Sequence, residues 1–319
     1  MLDYSESTPH LEAMPSNVRS DHVRRFVVEH QPVRGHWVHL KDAWRELRAH
    51  GDYPPPVRSL LGQAVAASVL LAATLKFRGR LTLQLQGNGA VGLMVAQCTH
   101  DFRVRAVARF DEAQLEAIDA ERPATSVPFR SLTGSEGRFT VTIEADERSL
   151  RYQGVVPLTG HSLAESLEAY FAASEQLPTR VRLAADGEHS AGLLVQKVPE
   201  SAGSPVGEAW DSARRGFERL TARDLLCRPV EDLLDRGLPA HDLRLFRGAP
   251  VQFECRCGEG RVTALLRALG ADEVRDVLKE QGEVTVTCEF CRRLYHFDAE
   301  AVDALFADGD SSAISPLIH

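Results

Sequence analysis

The sequence predicts an α+β protein in three parts: an N-terminal mixed domain of antiparallel strands with packed helices, a helical linker, and a small cysteine-bearing C-terminal domain. Three observations predict it. Period-two alternation of apolar and polar residues recurs between residues 81 and 198, broken by short Gly-, Asn- and Asp-containing turns, the pattern of half-buried strands in hairpins. From Glu200 to Arg247 the composition shifts to nine acidic residues and eight arginines with no lysine, and apolar residues fall at helical spacing. Four of the six cysteines then stand in one pattern, Cys255-Arg-Cys257 and Cys288-Glu-Phe-Cys291, thirty residues apart.

Residues 1–22 are polar and read as a flexible extension ahead of a core domain at 23–199. Val33–Leu40 reads as a strand and Trp44–His50 as a short helix, followed by a break at Pro54-Pro55-Pro56. The apolar run Val57–Leu75 is a core helix. Leu81, Leu83 and Leu85 alternate with Thr82, Gln84 and Gln86, and a Gly87-Asn88-Gly89 turn leads to Val91–Ala96, which gives a hairpin. Val104–Phe110, Phe139–Ile143 and Val155-Val156 are further strands. Ser162–Leu177 reads as one helix opened by a Ser162/Glu165 capping box and stopped by Pro178. Arg180–Ala184 and Leu193–Val198 close the core domain through an Asp186-Gly187 turn.

Residues 200–247 read as an amphipathic helical linker, with helices at Glu208–Leu220 and Thr221–Arg236, the second interrupted at Pro229. Short helices of this kind are marginal in water unless their apolar face finds a partner. The last part, 248–319, carries the cysteines. Val251-Gln-Phe253 enters the C-x-C pair as a strand, Arg261–Leu269 and Asp272–Glu280 are helices broken at Gly270, and Val284–Thr287 is a strand entering the C-x-x-C turn.

The 319 residues and 44% hydrophobic content suit two globular domains. A net charge of −8 argues against nucleic-acid and anionic-membrane partners. The first residues, with Asp3, Glu6 and Glu12, lack the basic start and apolar core of a signal peptide. Leu60–Leu75 is too short to span a bilayer and contains Gln63 and Ser68. A cytoplasmic location follows, with cysteines kept reduced and available for metal or redox chemistry.

Zn²⁺ takes four thiolates tetrahedrally, commonly from two short-spaced pairs. A C-x-x-C turn supplies one pair. In an extended strand Cys255 and Cys257, at i and i+2, face one side and supply the other. The four candidate metal ligands are therefore Cys255, Cys257, Cys288 and Cys291, and the third part is a zinc-binding domain. His296 stands near as a surface histidine, while Cys98 and Cys227 read as packing residues. Structural zinc contributes about 10–16 kcal/mol to folding a small metallo-domain, so a unit this poor in large apolar residues depends on it. Thiolates are also the oxidisable form of cysteine. A sulfenic acid condenses with a neighbouring thiol, and each pair holds such a neighbour. Residues i and i+2 of a strand lie about 6.5–7 Å apart, at the edge of disulfide reach. A bond between them forces the backbone out of its extended form.

Gly87-Asn-Gly89-Ala-Val-Gly92 matches the dinucleotide fingerprint, but the run after it ends at Thr99-His100-Asp101, too short for the required helix. No P-loop, G-x-S-x-G or H-E-x-x-H occurs.

Several runs resemble one family. They are Glu280–Cys291, Tyr295-His-Phe297-Asp298, Tyr170-Phe171 with Ser174–Arg180, and Leu75-Lys-Phe77 with Leu81–Gly87, alongside the two cysteine pairs. Over about Phe26–Asp298 the chain resembles the redox-regulated 33 kDa chaperonins, or heat shock protein 33. The resemblance implies an ATP-independent holdase and no enzyme. It implies one Zn²⁺ per chain and an inactive state when reduced. On oxidation it implies disulfides Cys255–Cys257 and Cys288–Cys291, zinc release, a loosened linker, capture of unfolded client proteins under oxidative stress, and a homodimer. Gly-Glu-Gly-Arg after Cys257 departs from the family's Ser-Arg-Glu-Arg type of run, and the N-terminal extension is unmatched; neither touches the ligands. Two other readings compete. A zinc-ribbon nucleic-acid binder needs a basic face, yet 254–298 holds seven Lys/Arg against nine Asp/Glu. A thiol–disulfide oxidoreductase needs its C-x-x-C at a helix N-terminus.

Overall fold

Alternation along the strands builds two six-stranded sheets, and one apolar helix packs against both. A computed structural model describes residues 21–121, 127–146, 151–158, 160–199, 208–239 and 241–307. The expected extension therefore falls, up to residue 20, outside the described residues, as do 200–207 and the tail from 308.

β1 (His22–Val28) and β2 (Val33–Leu40) form a hairpin. The Asp21 carboxylate accepts from the amides of Lys41, Asp42 and Ala43 at 2.9–3.0 Å and so starts α1 (Asp42–Arg48). The expected break separates α1 from the next helix, and the proline run stands at its far end with Pro54 as N-cap. Prolines open α2 (Pro55–Thr74), where their missing N–H groups cost nothing. At 20 residues α2 is longer than the sequence suggested, and by length and composition it could cross a membrane, but 72% of its apolar window is buried inside the fold. β3 (Gly79–Gln86), β4 (Val91–Thr99) and β5 (Arg103–Phe110) are an antiparallel meander. α3 (Glu112–Glu121), α4 (Phe129–Thr133), β6 (Arg138–Ala145) and β7 (Arg151–Pro157) follow.

The Gly87/Gly89 turn joins two strands, as expected, and no helix follows it. Its glycines serve packing: a Cβ at Gly87 would lie 2.2 Å from the Thr133 carbonyl oxygen, and one at Gly89 2.6 Å from the Gly134 nitrogen. α5 (Leu163–Tyr170) is shorter than the helix read from sequence. It passes into a π-helical turn at Phe171–Glu175 and ends at Gln176, φ 55°. Ser162 caps it by accepting from the Glu165 amide at 3.1 Å, while the Glu165 carboxylate accepts from the His161 amide. β8 (Thr179–Ala185) and β9 (Ser190–Lys197) form the next hairpin.

Three linker helices follow, α6 (Glu208–Glu218), α7 (Ala222–Cys227) and α8 (Val230–Gly237). The chain then returns to the sheets. β10 (Leu243–Leu245) and β11 (Ala249–Pro250) pair with β1, and β12 (Gln252–Phe253) pairs in parallel with β5. The last unit holds α9 (Glu259–Leu269), α10 (Ala271–Gln281), a hairpin of β13 (Val284–Thr287) and β14 (Leu294–Phe297), and α11 (Ala299–Ala307).

The sheets run β10-β1-β2-β9-β8, with β11 on β1, and β12-β5-β4-β3-β6-β7. β9 is buried on both faces. Leu194 joins the main core with Leu61, Leu70, Leu83 and Phe139, whereas Leu193 and Val195 join a second cluster with Phe217, Leu220 and Leu233 of the linker. The linker's apolar face thus finds its partner on the outer face of the first sheet. A third, small cluster (Val262, Leu266, Val274, Val284, Phe297, Val302, Leu305) belongs to the last unit alone.

Candidate metal centre

Two short segments carry the cysteines. After Phe253 the strand ends, so Cys255 and Cys257 lie on an unpaired stretch leading to Gly258 and α9 rather than in the extended strand expected for them. Cys288 and Cys291 occupy the tight connection between β13 and β14. The Cys288 amide donates to the Arg293 carbonyl at 2.9 Å, the Arg292 amide donates back to the Cys288 carbonyl at 2.8 Å, and Arg292 takes φ 56°. The C-x-x-C therefore sits in a β-hairpin knuckle and not at a helix N-terminus.

All four Sγ atoms lie within 4.8 Å of one another. The nearest contacts run across the pairs, Cys255–Cys288 at 3.6 Å and Cys257–Cys291 at 3.3 Å. Zn–S bonds of about 2.3 Å in a tetrahedron require sulfurs about 3.8 Å apart. The donor set fits a soft, tetrahedral metal ion such as zinc. The sulfurs differ in acidity. Burial pushes the Cys255 thiol up, and burial with the neighbouring thiols takes Cys291 to about 12. Burial acts on Cys257 too, but the Tyr295 hydroxyl and the other cysteines outweigh it and draw the thiol down to about 7. Cys257 is a readier thiolate than Cys255 or Cys291.

The other sulfur and imidazole candidates stand apart from this cluster. His296 is on β14, with Thr285 Oγ1 at 3.2 Å and Glu283 beside it. Cys98 is wholly buried in the main core, which pushes its thiol far up. Cys227 is exposed at the end of α7.

Core residues that the sequence reading did not single out meet the knuckle. The Arg105 guanidinium lies over the Phe290 ring at 4.1 Å. Arg109 pairs with Glu289. Arg103 pairs with Gln252 and Glu254 on the segment entering the centre. These arginines alternate along β5 and so share one face, a stripe visible in the sequence as Arg-x-Arg-x-x-x-Arg but without a stated partner.

The Hsp33 protein family model matches residues 21–298. The chain is 39% identical over 288 residues to the 33 kDa chaperonin of Methylobacillus flagellatus, covering 90% of this chain and 94% of that one. The chain belongs to the Hsp33 family. It is a molecular chaperone of that family by descent, and its Hsp33 relatives span its length: the 33 kDa chaperonin of Nitrosococcus oceani is 39% identical over 301 residues, with 94% of this chain and 99% of that one covered. The Hsp33 fold is also present. The crystal structure of the Thermotoga maritima 33 kDa chaperonin superposes with a TM-score of 0.74 at 23% identity, over 90% of this chain and 98% of that one.

Proposed function

We propose that this Hsp33 protein is a redox-regulated, ATP-independent holdase, held inactive when reduced by a zinc ion on Cys255, Cys257, Cys288 and Cys291. The observation that carries the reading is the convergence of four sulfurs within 4.8 Å at the end of a segment pinned to both sheets. Bound there, zinc supplies a tetrahedral crosslink between the C-x-C stretch and the hairpin knuckle.

Oxidation removes the donors. A thiolate attacks the O–O bond of peroxide, forming a sulfenic acid and releasing hydroxide, which takes up a proton. The thiol next to it attacks the sulfenic sulfur, forming the disulfide and releasing water. Two thiols and one peroxide thus give one disulfide and two waters, and two peroxides consume all four thiols. We assign the bonds Cys255–Cys257 and Cys288–Cys291, as the family resemblance implies. Each lies within a pair, whereas the closest sulfurs in the reduced structure lie across pairs, so both bonds reshape the site.

Reshaping at Cys255 acts two residues from β12. Loosening of β10–β12 frees the chain just after α8. The linker then lifts, and the apolar residues of the second cluster (Trp37, Leu193, Val195 on the sheet; Phe217, Leu220, Leu233 on the linker) become surface for unfolded clients. In this reading the oxidised chain is a homodimer, works in the cytoplasm, and uses neither nucleic acid, membrane nor a catalytic residue. The domains would be 23–199, the linker 200–247 and the zinc-binding domain 248–319.

Peroxide treatment of the reduced, zinc-loaded protein at mildly elevated temperature tests this. Loss of four thiols and one zinc should coincide with suppressed light scattering from a heat-denaturing client. Thiol and zinc loss with client aggregation unchanged would falsify the chaperone switch. Peptide mapping after oxidation should find the two within-pair disulfides, and cross-pair bonds would overturn the assignment.

A further inference from the structure

The main core presents an arginine stripe to the cysteine centre. β5 enters the main core with Val104, Ala106 and Ala108, so Arg103, Arg105, Val107 and Arg109 point to the opposite face. Arg105 is held before it meets anything beyond its sheet. Its Nε donates to Gln97 Oε1 at 2.7 Å, and Gln97 Nε2 donates to Thr82 Oγ1 at 3.0 Å, in one register row across three strands. The guanidinium so fixed stacks on Phe290 at 4.1 Å, inside the C-x-x-C knuckle, and also faces the Cys255 sulfur. Next to it Arg109 pairs with Glu289 of the same knuckle. Val107, between the two arginines in the stripe, is buried although it belongs to the outer face.

Both contacts fall on the two residues between Cys288 and Cys291. A disulfide between those cysteines changes the shape of that turn, and a docked turn resists the change. We propose that Arg105 and Arg109 form a core-borne lock on the cysteine centre, docking the Cys288–Cys291 knuckle on the second sheet so that its thiols oxidise only after it undocks. The two arginines are positioning residues, and the inference rests on the redox reading above. The lock is differential: its contacts exist with the reduced knuckle and are lost with the reshaped one, so it shifts the equilibrium and the rate toward the reduced state. Arg105 carries most of the effect, because it and its partner ring are both half-buried against the sheet. Arg109 and Glu289 are more than half exposed, and their pair is correspondingly weak.

The test follows thiol loss and zinc release at fixed peroxide in the reduced, zinc-loaded full-length chain. Arg105→Gln and Phe290→Ala should each speed both by about tenfold, and the double variant should be no faster than either single one, since both break one contact. Arg109→Glu should speed them about two- to threefold, and adding Glu289→Arg should restore the wild-type rate. Hydrogen exchange of the 286–293 amides should rise in Arg105→Gln before any oxidant is added. Wild-type rates in both Arg105→Gln and Phe290→Ala would overturn the lock. A wild-type protein that loses neither thiols nor zinc would instead refute the redox reading, so the two failures are distinct.

Discussion

A single carboxylate, that of Asp224, gathers four donors where α7 meets α8. It accepts from the Thr221 amide at 2.9 Å, the Thr221 hydroxyl at 2.7 Å and Arg228 Nε at 2.6 Å, with Arg236 of the next helix at 3.5 Å. Thr221 returns the favour of a cap by accepting from the Asp224 amide, so a full capping box starts α7. The Arg228 hydrogen bond, then those from Thr221, hold the Asp224 carboxyl well below the usual carboxylate range. A depressed carboxylate stabilises the fold fully above its unfolded value near 4, and loses that contribution as pH falls through the folded value. Asp224→Asn should therefore cost about 1 kcal/mol at neutral pH, limited by the solvent around its half-exposed arginines. The gap should stay constant above about pH 5 and close below about pH 4. Hydrogen exchange of the α6–α8 amides against pH measures it, and a gap that persists into strong acid would assign the loss to packing. At the same scale the clustering of the four cysteines was legible from spacing alone, because C-x-C and C-x-x-C are local patterns. Arg105 was not, since its partner Phe290 is brought to it only by tertiary folding.

Among the elements, the linker helices are the ones whose stability is borrowed. α6–α8 and the turn at Leu220 bury Ala213, Phe217, Leu220, Leu225, Leu233 and Leu234 against the first sheet, and without that sheet helices of 6 to 11 residues do not persist. Phe217 is 3% exposed, and Arg182 lies 5.4 Å from its ring centre. Phe217→Ala should cost about 3–5 kcal/mol of docking. The reduced, zinc-loaded variant should then suppress client aggregation with no oxidant, and a variant as inert as wild type would separate linker docking from activity. The long elements could be read from the chain: β3, β4, β5 and β8 alternate over enough residues to declare themselves, and α2 and β9 show as continuous apolar runs. Those missed lack a period. β10 and β11 have three and two residues and exist only because β1 offers a free edge. α5 was overextended because Ser162–Leu177 has no breaker, yet Tyr170 and Phe171 are adjacent and both fully buried. A π-helical turn accommodates two successive large side chains that a regular helix would point apart.

Across the whole molecule the three clusters define three levels of self-sufficiency. The main core joins α2 and α5 to both sheets and takes only Val251, with Ala249 and Phe253 beside it, from the segment after the linker. The linker cluster needs the first sheet. The third cluster has one buried aromatic, Phe297, among valines and leucines, with Tyr295 and Phe306 only partly buried against it, while Leu265, Leu269 and Leu294 of the same unit remain more than half exposed. So small a core falls short of the conformational entropy of ordering its residues, and a four-thiolate crosslink is the natural supplement. Removing metal with a chelator, in reductant and without oxidant, should then act selectively. Amides of α9, α10, α11, β13 and β14 should lose protection first and most. Those of α6–α8 should lose part of theirs, because β10–β12 connect the two units through the sheet edges. Amides of α2 and β3–β6 should be unchanged. Hydrogen exchange read by mass spectrometry resolves the three sets in one experiment. Persistent protection of α9–α11 in the metal-free protein would mean that the third cluster stands on its own. Metal would then hold the cysteines in place without holding up the unit, and the path from the cysteine centre to the linker would have to start at the Arg105 dock instead.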